Sequence, residues 1–140
     1  IDFGFKSKSS TRVPSYTIIL DNNNKVIKPY LHLALHGMKN YPNKEIEVGT
    51  INNQTCSNEI FIWFKKKLEE ISKELFNRDL KIVYNKQFIG NISKRVHREN
   101  YGNLFNTIQI EFNKALRMDY LSKITEVLST IVKNFYQEHN

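Results

Sequence analysis

Residues 31–40 read LHLALHGMKN, and the period of that run decides the fold. Leu31, Leu33 and Leu35 alternate with His32, Ala34 and His36, and the run ends on Gly37. A period of two belongs to a strand, since a helix repeats near 3.6 residues. The same choice decides the chemistry. On a helix His32 and His36 would be neighbours able to share a metal ion. On a strand they share a face but stand roughly 13 Å apart, too far for one ion to bridge. The run therefore predicts a strand that carries His36 to its end. His32 is expected to be a hydrogen-bonded histidine in or near the core.

Working outward, SYTIIL (15–20), DNNNK (21–25) and VIKPYLHLAL (26–35) read as strand, turn and strand, with an Asn-rich reversal between β-branched runs. Pro29 marks an edge position or an irregularity early in the second strand. Residues 1–12 are polar and Ser/Lys-rich and are expected to be a mobile lead-in to a single domain over 13–140. Downstream, HGMKNYPNK (36–44) reads as a loop and EIEVGT (45–50) as a short strand with polar alternation. SNEIFIWFKKKLEEISKELF (57–76) carries Ile60, Phe64, Leu68, Ile71 and Leu75 at helical spacing, with Thr55 or Ser57 as its cap. LKIVYN (80–85) and NTIQIEF (106–112) read as strands, separated by a polar loop over 86–103. A second long helix is predicted after Asp119 as its cap, with Leu121, Ile124, Leu128, Ile131 and Phe135 on one stripe. The fold class is α/β, a mixed β-sheet flanked by two long helices.

The bulk properties narrow the function. The chain has 140 residues, of which 40% are hydrophobic, which suffices for one core. No apolar run approaches the length that crosses a bilayer. Cys56 is the lone cysteine, so an internal disulfide and a cysteine-based zinc cluster are both excluded, and a cytoplasmic setting is expected. Beside a helix start, its thiol is a candidate for easier ionisation, with no partner base nearby in sequence. The net charge of +7 suits an acidic partner. The basic residues are scattered, however, apart from Lys65–Lys67 and SKRVHR (93–98). The former reads as a solvated helix face. No helix-turn-helix, zinc-finger or aromatic-sheet motif accompanies the latter, so a nucleic-acid partner is disfavoured.

Ligands in open α/β sheets bind beyond the carboxyl ends of the strands. His36 ends one strand. Glu111 ends another, on the face that carries Thr107 and Gln109, with Ile108, Ile110 and Phe112 turned away. A His and a Glu leaving one end of a sheet suit a metal ligand and a general base, although a strand-end His is more often structural. Trp63 reads as core rather than a stacking platform. Gly49–Thr50 reads as a turn that could shape a pocket.

Four segments, in order, carry a resemblance. IQIEFNKALRMD (108–119) is similar to Gln-x-Glu-Ile-Asn-Arg-x-Leu-Tyr-Met-Asp of the N-formylglutamate amidohydrolase family. LALHG (33–37) resembles that family's Asp-Leu-His-Ser. EVGTINNQTCS (47–57) resembles its Gly-Thr segment before a capped helix. NKQFIGNISKRVH (85–97) resembles its Asn-x-x-Phe-x-Gly-Gly-x-Ile loop ahead of a His. The resemblance implies a three-layer hydrolase core related to zinc carboxypeptidases and aspartoacylases. It also implies a zinc-dependent amide hydrolase acting on N-acyl amino acids or glutamyl amides, small substrates that bear a carboxylate. His36 would be the third zinc ligand and Glu111 would activate the metal-bound water. Arg95, His97 and Arg98, with Lys114 and Arg117, would meet the substrate carboxylate or the oxyanion.

The sequence departs from that family at definite places. The family's first two metal ligands, a His and an acidic residue, come from an earlier strand and loop, and this chain has no histidine before His32. Ala34 stands where the family has Asp, Lys114 where it has Arg and Arg117 where it has Tyr. An Arg-to-Lys change is not neutral at a bidentate carboxylate site. Two readings stay open. Either the missing ligands lie upstream and these residues are the C-terminal part of a larger catalytic domain, or the chain is a relative without the metal that binds a small acidic ligand or a protein.

Overall fold

The computed structural model describes residues 18–90 and 92–139, and for 92–96 the backbone alone. The expected lead-in over 1–12 lies outside the described residues, as does the start of SYTIIL. Eight elements follow: β1 (Tyr30–Gly37), β2 (Ile46–Gly49), α1 (Asn58–Phe76), β3 (Ile82–Tyr84), α2 (Ile92–Tyr101), β4 (Phe105–Phe112), α3 (Lys114–Asp119) and α4 (Leu121–Glu138). The strands form one mixed sheet in the order β1–β4–β2–β3. β1 runs parallel to β4 and β2 parallel to β3, while β2 is antiparallel to β4. Only β1 and β4 therefore leave the sheet at the end where His36 and Glu111 stand.

The alternation in residues 31–37 does what a strand requires. Leu31 and Leu33 turn to one face, which they share with Ile108, Ile110, Ile46 and Val48. Against that face pack α1, through Ile60, Phe64 and Leu68, and α4, through Ile124, Leu128, Ile131 and Phe135. Phe64, Leu68, Ile108, Ile110, Leu128 and Phe135 are fully buried, and each such side chain gains about 1.5–3 kcal/mol over exposure. Ser57 caps α1, its hydroxyl accepting from the Ile60 amide, and Asn77 closes it in a left-handed turn at φ 54°. On the opposite face α2 lies against β4, its His97 ring 5.4 Å from His32 and 5.7 Å from Phe105. Helices thus cover both faces of the sheet.

Several expectations need correction. The polar stretch 86–103 is not all loop, because residues 92–101 form α2. Its Gly and Asn punctuation falls at its ends, and the uninterrupted SKRVHREN between supports a helix once the sheet offers a surface. Asp119 does not cap α4; it is the last residue of α3, and Tyr120 precedes α4 with no side-chain cap. The Asn-rich reversal is real, with Asp21 Oδ1 accepting from the Asn23 and Lys25 amides and Asn24 at φ 60°. Around it the described pairing is one bridge, Leu20 to Val26, and the expected second strand begins later than Val26, at Tyr30. Pro29 has no N–H to give a ladder, and β1 starts just past it. Last, EIEVGT does not alternate between core and solvent. All four residues of β2 are buried, Glu47 included.

Candidate functional site

β4 builds the site. All eight of its residues are buried, although four of them, Asn106, Thr107, Gln109 and Glu111, are polar. Ile108, Ile110 and Phe112 enter the core under α1 and α4. Thr107, Gln109 and Glu111 face the other way. Parallel register sets His36 beside Glu111, and antiparallel register sets Glu47 on its other side. Three strands thus put His36, Glu111 and Glu47 in one row on one face.

The two expected site residues do come together. His36 Nδ1 stands 3.9 Å from Glu111 Oε1, an ion-pair distance that also admits a bridging water. The His36 side chain is 46% exposed and that of Glu111 8%, so one partner faces solvent and the other lies roofed within the fold. Gln109 Nε2 reaches Glu111 Oε1 at 3.5 Å. His32, four residues back, bonds through Nδ1 to Thr107 Oγ1 at 3.2 Å and is half-buried, as expected of it.

Arg117 and Lys114 lie at the same end. Asn113 caps α3, its side chain accepting from the Leu116 amide, which turns the chain sharply after β4. Arg117 then reaches back, donating Nε to the Phe112 carbonyl at 3.1 Å and Nη2 to the Met38 carbonyl at 3.1 Å. A Cβ on Gly37 would stand 2.6 Å from its guanidinium carbon, so a larger residue there would push the Arg117 head group aside. Arg117 therefore clamps the two strand ends together, and Lys114 stands exposed in the first turn of α3.

His97 and Arg98 are elsewhere. The His97 ring packs with His32, Tyr101 and Phe105, toward the start of β4. Arg98 donates to the Asn103 carbonyl at 3.0 Å and to Asn106 Oδ1 at 3.4 Å. With Gln54, Glu99 and Asn103 it lines an open cavity of about 310 Å³ at the amino end of β4. The expected grouping of these two with Glu111 is not what the structure shows: α2 packs them against the start of β4, at Phe105 and Asn106, rather than at its end. The Arg95 side chain lies outside the described residues.

The remaining candidates settle as structural parts. Burial pushes the Cys56 thiol up to about 12, with the nearby Arg98 charge opposing, which reverses the easier ionisation expected at a helix start. Trp63 stacks edge-on to Phe135 and donates its indole N–H to Glu138 Oε2. On α1, Lys67 pairs with Glu138 at 3.4 Å and Lys65 lies over the Tyr84 ring, so that basic run serves its own helix face.

Sequence reading passed over Lys44 and Glu47. Glu47 is fully buried, and its Oε1 takes the Lys44 ammonium. Its Oε2 accepts from three successive amides, those of Lys86, Gln87 and Phe88, at 3.0, 2.6 and 2.6 Å. Burial works against the charged carboxylate, yet these donors outweigh it and hold the Glu47 pKa below the usual range. Lys44 is only 4% exposed and also donates to Gln87 Oε1, between the Tyr41 and Phe88 rings. The signal was a Glu between Ile46 and Val48 with a Lys three residues before it. Such a charge in a buried strand needs a partner at hand.

The described donors fall short of a zinc centre. Among the described residues, no group of three His, Cys, Asp or Glu side chains is placed to hold a metal ion. Glu47, third in the row, has both carboxylate oxygens engaged, and a catalytic zinc takes three protein ligands. Among the described residues, too, no helix is long and apolar enough to cross a membrane. Compared with protein-family models, curated proteins and solved structures, the chain matches none.

Proposed function

We propose that the carboxyl end of the β1–β4 pair is the active site of an amide hydrolase for a small carboxylate-bearing substrate, an N-acyl amino acid or glutamyl amide. This is the activity of the zinc-carboxypeptidase-related hydrolases that the sequence resembles. One observation carries the reading: His36 and Glu111, 3.9 Å apart and in register at the end of two parallel strands. Glu111 is the general base, taking a proton from the water that attacks the amide carbonyl. His36, at the solvent side of that carboxylate, orients it and passes a proton to the departing amine. The Lys114 ammonium meets the substrate carboxylate, while Arg117 fixes the strand ends that carry the pair. No step is assigned to zinc, because the described donors do not complete its coordination.

The shortage of donors favours a second reading, a relative that binds the same acidic ligand without cleaving it. Amine release from N-formylglutamate and N-acetylglutamate, with and without added Zn²⁺, separates the two. Hydrolysis that falls by about 10²-fold or more in Glu111→Gln supports the hydrolase. Saturable calorimetric binding without turnover supports the second reading. Turnover that Glu111→Gln leaves unchanged removes Glu111 from the chemistry.

A further inference from the structure

The loop over residues 86–89 crosses the sheet on the face that carries Glu111. Phe88 and Ile89 press on β2 so closely that a Cβ on Gly49 would stand 2.4 Å from the Phe88 carbonyl oxygen. The Ile51 amide donates to the Ile89 carbonyl at 2.7 Å. Gly49 pairs with Gln109 and Glu47 with Glu111, so this segment walls the proposed site on its β2 side. Asn85 (φ 50°) and Gly90 (φ 100°) bracket it with left-handed turns. The Glu47 carboxylate, collecting three of its amides, is what gathers it.

We propose that Lys44 and Glu47 are positioning residues of the His36–Glu111 site, pinning the backbone of 86–88 beside Glu111 and keeping net charge there near zero. The inference rests on the reading of His36 and Glu111 as the site. Two carboxylates directly opposite on adjacent strands have Cβ atoms about 5 Å apart and repel each other. Lys44 cancels the charge of Glu47, which relieves that repulsion on Glu111. Among the described residues, the charged groups at this end of the sheet are Glu111 on β4, Glu47 on β2 with Lys44 just before it, and Lys114 and Arg117 on α3.

The test needs no substrate, so it stands apart from whether amides are cleaved. The His36 imidazole is titrated by NMR in the full chain, wild type against Lys44→Met and Glu47→Gln, while the Lys86–Phe88 amides are followed by hydrogen exchange. Lys44→Met leaves a bare negative charge two strands from His36 and raises its midpoint. Glu47→Gln leaves a bare positive charge and lowers it. Each shift is about 0.5 in pH at a separation near 10 Å. Both variants speed exchange at 86–88. Opposite shifts with faster exchange support the proposal, since loosened packing alone would not reverse sign. Shifts of the same sign, no shift, or unchanged exchange overturn it. Should either variant fail to fold, Gln87→Ala removes one partner of Lys44 while leaving the charge pair in place, and unaltered 86–88 exchange there overturns the proposal too.

Discussion

The two faces of the sheet are built from the same strands and both hold buried side chains, yet they are held by different physics. Under α1 and α4 the contacts are apolar and non-directional, and any well-fitting hydrocarbon serves. On the other face Thr107, Gln109, Glu111 and Glu47 are shielded from water, so each must find a partner with the right geometry. The Glu47 carboxylate shows the scale of the demand, taking four donors in all. The dry face sets how stable the domain is. The polar face sets which loop lies where.

The largest expected effect tests the dry face. Phe64→Ala should lower unfolding free energy by about 3–5 kcal/mol, read as a lower urea midpoint at unchanged slope. A loss under 1 kcal/mol would mean that the helix layer tolerates voids and the contrast with the polar face is overdrawn. Gly49→Ala tests the polar face, where the obstacle is backbone rather than a movable side chain. It should cost about 1–3 kcal/mol and speed exchange of the 86–89 amides before those of α1 and α4. Uniform exchange across both faces would break the distinction.

The smallest expected effect comes from acid. Arg78, bonded to both oxygens of Glu45, holds that carboxyl below its ordinary value near 4.5. Glu47 is lowered as well, its donors prevailing over burial. A folded-state pKa below the unfolded one contributes stability that is present above about pH 4.5 and lost as pH falls through the folded values. Each group gives a slope of at most about 1.4 kcal/mol per pH unit, discounted for Glu45 because Arg78 is half exposed. Chemical denaturation repeated from pH 6 to pH 2.5 reads it. Stability that holds flat across that range would show both carboxylates to be idle.

Where sequence reading succeeded and failed follows the same division. β1, β4, α1 and α4 were legible because each repeats an apolar position at least three times at its own period. The His36–Glu111 pairing was legible because both sit where an apolar strand pattern stops. α2 was not, since its SKRVHREN core carries no apolar stripe and its fit against His32 and Phe105 depends on residues far away in sequence. The Lys44–Glu47 pair escaped for a similar reason. Its partners at 86–88 lie some forty positions on, and nothing near Glu47 in the chain announces them.

By itself the sequence determined that 31–37 is a strand, that two amphipathic helices share one core, and that His32 and His36 cannot hold one ion. Those facts depend on local period alone, which the backbone reads residue by residue. The tertiary structure alone decided that Glu47 joins His36 and Glu111 in one row, that His97 and Arg98 go to the other end of β4, and that the 86–89 loop walls the site. Register between strands, and hydrogen bonds between distant segments, fix those placements, and neither is written in the spacing of any single stretch.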